Sequence, residues 1–468
     1  MPRTHFDRLS DSEHHLERVI LIVAICALVI WVFADVRRRG RLDESRPEVH
    51  RTDLTAYTAA GDVWWNGGTS EEAFAASSPR GWRYQYLPFF GTLMGPLSQL
   101  GTKTQSFLFG LFSLGVLLGI YYETRCLLRL YISPRISWDR SSIHSGLDPP
   151  IYITVFAAIA FALPCLNTIQ RGQVGLLVVY PLMLGFRLVW THCAIGGGVS
   201  LAFPAVLKIL PTLSGGSILL NSVLPLVRND ARKDRTVVMR ALISCVGFGF
   251  GVVLFLLIIP TLLIGWQNNL DGIEYFLKNV VMNPNFARDW GFDIHSIRNQ
   301  SLAGASWQLT DTIQGGLGTA HNAEVDGIHP FDTGPIAGVV STLRWLILGF
   351  FLFTLVRVST ARTTWKRREA AAVVFGLSCV ATLVFSPVSW GHHFVQALPG
   401  FIAIPAWLHI RGFGRGAFIM SLAPAVLVLA HYIALPFAGP LGILGFGITA
   451  WLITSCVLCL RTCTAQSS

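Results

Sequence analysis

"ALISCVGFGFGVVLFLLIIPTLLIG", residues 241–265, runs through the chain without a charged side chain. A helix needs roughly 20 apolar residues to cross the hydrocarbon core of a bilayer, and this stretch exceeds that. Comparable runs recur along the 468 residues, of which 52% are hydrophobic and only 13% charged. A soluble chain carries about 25% charged residues. Mean hydropathy is +0.53, and the charges gather in short stretches between the apolar ones. The expectation is an all-α, polytopic transmembrane helical bundle forming one membrane domain over 1–468.

The runs predict about twelve spans: 18–36, 105–122, 151–166, 173–190, 195–212, 213–227, 241–265, 336–357, 370–386, 394–410, 416–433 and 440–460. The first is read as a retained span, because no small-residue cleavage site precedes Arg37–Arg39. The sixth is short and interrupted by Pro225. With Pro204 and Pro211 ahead of it, 195–227 reads as broken helices or a re-entrant hairpin.

Basic residues orient the bundle. Segments 228–240 and 357–369 hold five Lys or Arg each, which puts both termini inside. Two long loops, 37–104 and 266–335, then lie outside and contain 15 of the 26 acidic residues. Loop 37–104 also carries nine basic residues, but loops longer than about 60 residues obey the charge rule poorly. The net charge of +10 sits between apolar runs, as topology determinants and headgroup contacts rather than a nucleic-acid patch. No cysteine falls in either long loop, and the Cys456/Cys459 pair inside the last span reads as packing. A channel needs no long outer loops. An enzyme working at the outer face does.

Several polar residues need an explanation. Asp53, Tyr57 and Ala60 share one helical face, so Asp53 either points into a cleft, caps a helix or is solvated. WRYQYLPFF, closed by Pro88 and Phe90, reads as an interfacial helix with Arg83 outward, or as an aromatic belt. Asn167, Gln170, Arg171 and Gln173 form either a polar hairpin with a snorkelling arginine or a phosphate site, since guanidinium donors suit phosphate. Lys208 lies in an apolar run, where a lysine costs about 3 kcal/mol and normally faces a partner or a wet cavity. Asn299-Gln300-Ser301 offers hydrogen-bonding groups and fits a glycosylation sequon. His392 and His393 follow Trp390. Adjacent helical residues diverge by about 100°, and no carboxylate or cysteine cluster accompanies the pair, so no metal site is expected. The pair is either interfacial or a donor to an anion.

DLTAY (53–57), YQYLPFF (84–90) before Pro96, RGQV (171–174), LKILP (207–211), NQSLAG (299–304) and SPVSWGHH (386–393) occur in this order. In that order the chain resembles the GT-C fold glycosyltransferases of family 87, the polyprenol-phosphate-mannose-dependent mannosyltransferase-like membrane proteins. The resemblance covers roughly Asp53 to Trp407. Leu87 stands where the family commonly has a first proline, and Arg171 where an asparagine is usual.

The resemblance implies an enzyme of the cell membrane with its site on the extracytoplasmic side. It takes a sugar, mannose by family, from a polyprenyl-phosphate-linked donor. It passes the sugar with inversion to a hydroxyl of a glycolipid, glycan or protein acceptor, without a cofactor. Asp53 then matches the family's first-loop general base, with His393 as its catalytic companion. Arg171, Gln173, Lys208 and His392 are candidates for the donor phosphate, and Tyr57, Tyr86, Asn299, Ser301 and Trp390 for substrate contacts. The competing reading is a transporter or flippase of a lipid-linked sugar.

Overall fold

The computed structural model describes residues 52–79, 81–132, 150–191, 193–224, 235–283, 298–315, 337–360, 367–386 and 388–464, with isolated helical positions between 19 and 34. The expected span 18–36, residues 37–51, Pro225 and Pro387 lie wholly or largely outside the described residues.

Helices follow one another throughout, and no strand occurs among the described residues. The first part comprises α1 (Leu54–Trp65), α2 (Ser70–Ala75), α3 (Pro88–Ser98), α4 (Thr102–Ile132), α5 (Ile151–Arg171) and α6 (Gly175–Trp190). Next come α7 (Ala194–Leu207), α8 (Thr212–Val223), α9 (Arg235–Val253), a π-helical turn (Leu254–Ile258), α10 (Ile259–Ile264) and α11 (Trp266–Phe276). The chain continues through α12 (Leu302–Gly315), α13 (Ala337–Thr360), α14 (Arg367–Phe385), a 3₁₀ segment (Gly391–Ala397) and α15 (Leu398–Ile410). It closes with α16 (Gly414–Ile433), α17 (Leu435–Ala438) and α18 (Ile443–Thr464).

Among the described residues seven helical stretches are long and apolar enough to cross a membrane, and Gly175–Trp190, Ala194–Leu207 and Glu369–Phe385 are shorter apolar helices. The stretch that opened the reading lies inside Val238–Ile264, with mean hydropathy 2.8. The expected count of twelve is not reached among the described residues. Thus α8, with 12 residues, rises about 18 Å, well short of a ~30 Å core. Broken helices are what 195–227 contains: α7 stops at Leu207 and α8 begins at Thr212.

The centre of the bundle is α14 against α15, where residues from Ala370 to Val384 and from Phe394 to Leu408 are almost wholly buried. Lipid tails are as apolar as leucine, so packing rather than water exclusion holds such helices together. Gly376 and Gly400 allow the approach, since a Cβ on Gly400 would fall 2.6 Å from the Gly376 carbonyl oxygen. Two ion pairs among the described residues lie within the bundle. Arg187 on α6 forks onto Glu123 of α4 at 2.7 and 2.9 Å, and Arg411 reaches Glu369 at 2.9 Å. Cys456 and Cys459 are buried in α18.

The described parts of the two long loops are largely helical and pack on each other. Thr69 and Glu72 form a reciprocal cap that starts α2. Ser70 Oγ donates to the Asn268 carbonyl at 2.6 Å, Asn268 Nδ2 donates to the Gly68 carbonyl at 2.9 Å, and Phe74 stacks on Tyr275 at 4.8 Å. This layer covers one end of the bundle.

WRYQYLPFF does not form one interfacial helix. Only Pro88 onward is helical, with the proline at the first turn, where its missing N–H costs nothing. Arg83 is exposed as expected and pairs with Ser77 in an isolated bridge. Tyr84, however, is fully buried, accepts from the Gly91 N–H at 2.7 Å, and packs edge-on against Trp64 at 5.5 Å. Inward-facing partners on α1 and α2 drew these rings into the protein. Leu87 has φ −59° and ψ 154°, a conformation that proline also adopts, so its departure from the family pattern leaves the backbone path intact.

Candidate active site

Helix α5 ends because Gly172 turns left-handed, at φ +63°. The Gly172 and Gln173 N–H groups return to the carbonyls of Ile169 and Thr168 at 3.0 and 2.9 Å. The start of α1 rests on this turn. The Asp53 N–H donates to the Arg171 carbonyl at 2.7 Å, and Thr52 Oγ1 donates to the same oxygen at 3.1 Å. A Cβ on Gly172 would lie 2.8 Å from Leu54 Cβ, so only glycine admits both the turn and the contact.

Asp53 is therefore neither solvated nor a cap. It is 9% exposed, and although it stands at the first position before α1, its carboxylate does not cap that helix. Its charge reaches Tyr57, Tyr86 and Lys208. The Tyr57 hydroxyl donates to Gln173 Oε1 at 3.3 Å and meets Tyr86 Oη at 3.3 Å. Burial is the main cause that pushes both phenols up, with Asp53 adding to it in each case and the bond with Tyr57 opposing it at Tyr86, so they remain neutral hydrogen-bonding groups beside the carboxylate.

Lys208 is the residue at which α7 stops. Its Nζ lies 3.2 Å from His393 Nε2, so the lysine faces a partner rather than snorkelling away. The histidines sit in the 3₁₀ segment that opens α15. His393 leads to Lys208, whereas His392 is 3% exposed, which is deeper than a position at a pocket mouth. Thr168 Oγ1 donates to the His392 carbonyl at 3.1 Å and so fastens the segment to α5. The two imidazoles meet edge to face at 4.4 Å.

Arg171 does not snorkel either. Its guanidinium carbon lies 5.9 Å from the Trp82 ring and 5.5 Å from the Trp390 ring, so it is held by cation–π contacts. Its Nη1 is buried without a hydrogen-bond partner among the described residues. Trp82 escaped the sequence reading; its only signal was the aromatic density around it.

Asn299 and Ser301 are 1% and 0% exposed, and their contacts are with the protein backbone. Asn299 Oδ1 accepts from the N–H groups of Ser389 and Ser301 at 3.0 and 3.2 Å, and Ser301 Oγ accepts from the Gly304 N–H at 3.0 Å. Asn299 also bridges to Trp390. Asn299 thus ties the start of the Trp390–His393 segment to the second loop.

Asp53, Tyr57, Tyr86, Arg171, Gln173, Lys208, Trp390, His392 and His393 thus converge at one end of the bundle, beneath the layer formed by the two loops. A buried carboxylate stands near two partly buried cations in a polytopic helical membrane protein. The chain belongs to glycosyltransferase family 87, which it matches over residues 84–387, and it is a membrane glycosyltransferase. It is also similar to the polyprenol-phosphate-mannose-dependent alpha-(1-2)-phosphatidylinositol mannoside mannosyltransferase of Mycolicibacterium smegmatis (strain ATCC 700084 / mc(2)155). The two are 28% identical over 331 residues, covering 61% of this chain and 67% of the relative. No solved structure matches the chain. Asp53 and His392–His393 flank the stretch matched to the family.

Proposed function

We propose that the protein transfers mannose from a polyprenyl-phosphate-linked donor to an acceptor hydroxyl at the outer face of the cell membrane. The observation that carries this is the seating of Asp53 on the Arg171 turn at 2.7 Å, with the Lys208–His393 pair opposite. One group accepts a proton; the others receive an anion.

In the proposed step the acceptor oxygen attacks the anomeric carbon while the bond from that carbon to the phosphate oxygen breaks. Asp53 takes the hydroxyl proton as general base. The bonding electrons leave with the lipid phosphate, whose charge is met by Lys208, His393, Arg171 and His392. Gln173 orients Tyr57 beside the base. A single displacement inverts the anomeric centre. The acceptor class follows from the chemistry alone: any hydroxyl of a glycolipid, glycan or protein that reaches Asp53.

A flippase needs no proton acceptor beside its anion site, and family membership does not favour it. The test is purified protein supplied with polyprenyl-phosphate mannose and candidate acceptors. Release of polyprenyl phosphate together with a mannosylated acceptor supports transfer. Movement of intact donor between leaflets without bond cleavage overturns it.

A further inference from the structure

Beside the residues already placed lies a second group of buried polar atoms. Helix α16 packs along α5, with Phe418 against Tyr152 and Phe156 at 5.5 and 5.6 Å. The C-terminal ends of both helices meet the start of the 3₁₀ segment. There α16 delivers His431 and Tyr432, at the end of an apolar run and beyond the residues that match the family.

The Tyr432 hydroxyl lies against the Gly391 backbone, since a Cβ added at Gly391 would fall 2.7 Å from it. Arg171 Nη1, His392 Nε2 and Tyr432 Oη are all buried, and none has a hydrogen-bond partner among the described residues. His392 is 3% exposed. Leaving one such group unsatisfied is costly, and three together are not explained by packing. A guanidinium N–H, an imidazole N–H and a phenol O–H are all donors available to one acceptor-rich anion. Asn167 Oδ1, one turn earlier on α5, is also buried without a partner, and as an acceptor it suits a hydroxyl beside that anion.

We infer that Tyr432 is a donor-binding residue: with Arg171 and His392 it receives the phosphate of the lipid-linked sugar. This rests on the transferase reading above. The phosphate then lies between α5 and α16, against the 3₁₀ segment, with Lys208 and His393 on its far side next to Asp53. Tyr432 touches the phosphate and takes no part in proton transfer.

The experiment uses full-length purified protein in nanodiscs and two probes, polyprenyl phosphate and the unphosphorylated polyprenol. Tyr432→Phe removes one hydroxyl and keeps the ring that packs on His431 at 5.5 Å. It is expected to weaken polyprenyl phosphate binding roughly tenfold, the usual loss for a hydrogen bond to a charged group. Polyprenol binding stays unchanged, and the donor KM rises in parallel. Gly391→Ala crowds the same hydroxyl and gives the same selective loss, which keeps the test open should the phenylalanine variant fail to fold. Unchanged phosphate affinity, or equal losses for both probes, overturns the inference while wild-type transfer leaves the enzyme reading standing. A wild-type protein that does not distinguish polyprenyl phosphate from polyprenol overturns both.

Discussion

Lys208 Nζ and His393 Nε2 stand 3.2 Å apart although 185 residues separate them in the chain. On the other side of the ring, His393 Nδ1 accepts from the Trp390 N–H at 3.4 Å, so the backbone of its own segment orients the imidazole. Lys208→Met is expected to raise the donor KM at least tenfold, because it removes a cation offered to a phosphate. His393→Ala acts in the same direction and also lowers kcat, since the lysine loses its positioning partner. Steady-state kinetics with the lipid donor, below and at saturation, measure both. If His392→Ala and His393→Ala each transfer sugar with unchanged rate and donor affinity, the histidines have no part in the reaction.

Asp53→Asn should abolish transfer while the protein remains inserted and folded. The amide keeps the size and the backbone bond to Arg171 but is no base, and losing a general base costs about 10²–10⁴-fold. The readout is turnover beside a thermal melting curve. Near-normal turnover would remove Asp53 from the mechanism.

Gly172→Ala tests the turn on which Asp53 rests. Alanine at φ +63° is strained, and its Cβ would meet Leu54 at 2.8 Å. The strain is on the order of 1–3 kcal/mol. The expected outcome is a lower melting temperature and a fall in kcat larger than the change in donor KM, because the base is displaced while Lys208 is not. A fall in stability with full kcat would show that the turn does not set the base.

Glu123→Gln addresses the ion pair with Arg187, part-way along α6 and away from Gln173. Breaking a fully buried pair costs about 3–5 kcal/mol, and because Arg187 is 23% exposed a loss of about 2 kcal/mol is expected here. Melting temperature should drop, while turnover per folded molecule and donor KM stay at wild-type values. A changed donor KM would tie this pair to the site.

A reporter fused after Ser468 should be active only on the cytoplasmic side. The basis is the basic residues at 228–240 and 357–369, five in each segment. Activity outside the cytoplasm would reverse the proposed orientation, and with it the side on which Asp53 works.

The membrane class was legible because the bilayer imposes it on composition: uncharged runs such as 241–265 have few other uses. Lys208 was legible for the same reason, since a cation in an apolar run calls for a partner. Asp53 was not legible from spacing, because an aspartate just before a helix is usually a cap or solvated. The partner of Lys208 could not be read at all. Tyr432 gave no signal, being one aromatic at the end of an apolar helix, and Trp82 was hidden among its aromatic neighbours. Asn299 bonds to the backbone that leads to Trp390, a contact between distant parts of the chain that spacing does not record.

By itself the sequence determined the helical class and the kinds of group available for chemistry. These are local consequences of hydropathy and of the cost an apolar run sets on a charge. Which groups meet was decided only by the tertiary structure. Asp53 lies on Arg171, Lys208 faces His393, and Tyr432 lies against Gly391, because helix packing brings distant ends of the chain together. Hydropathy records that a helix must bury a face; it does not record which neighbour that face will find.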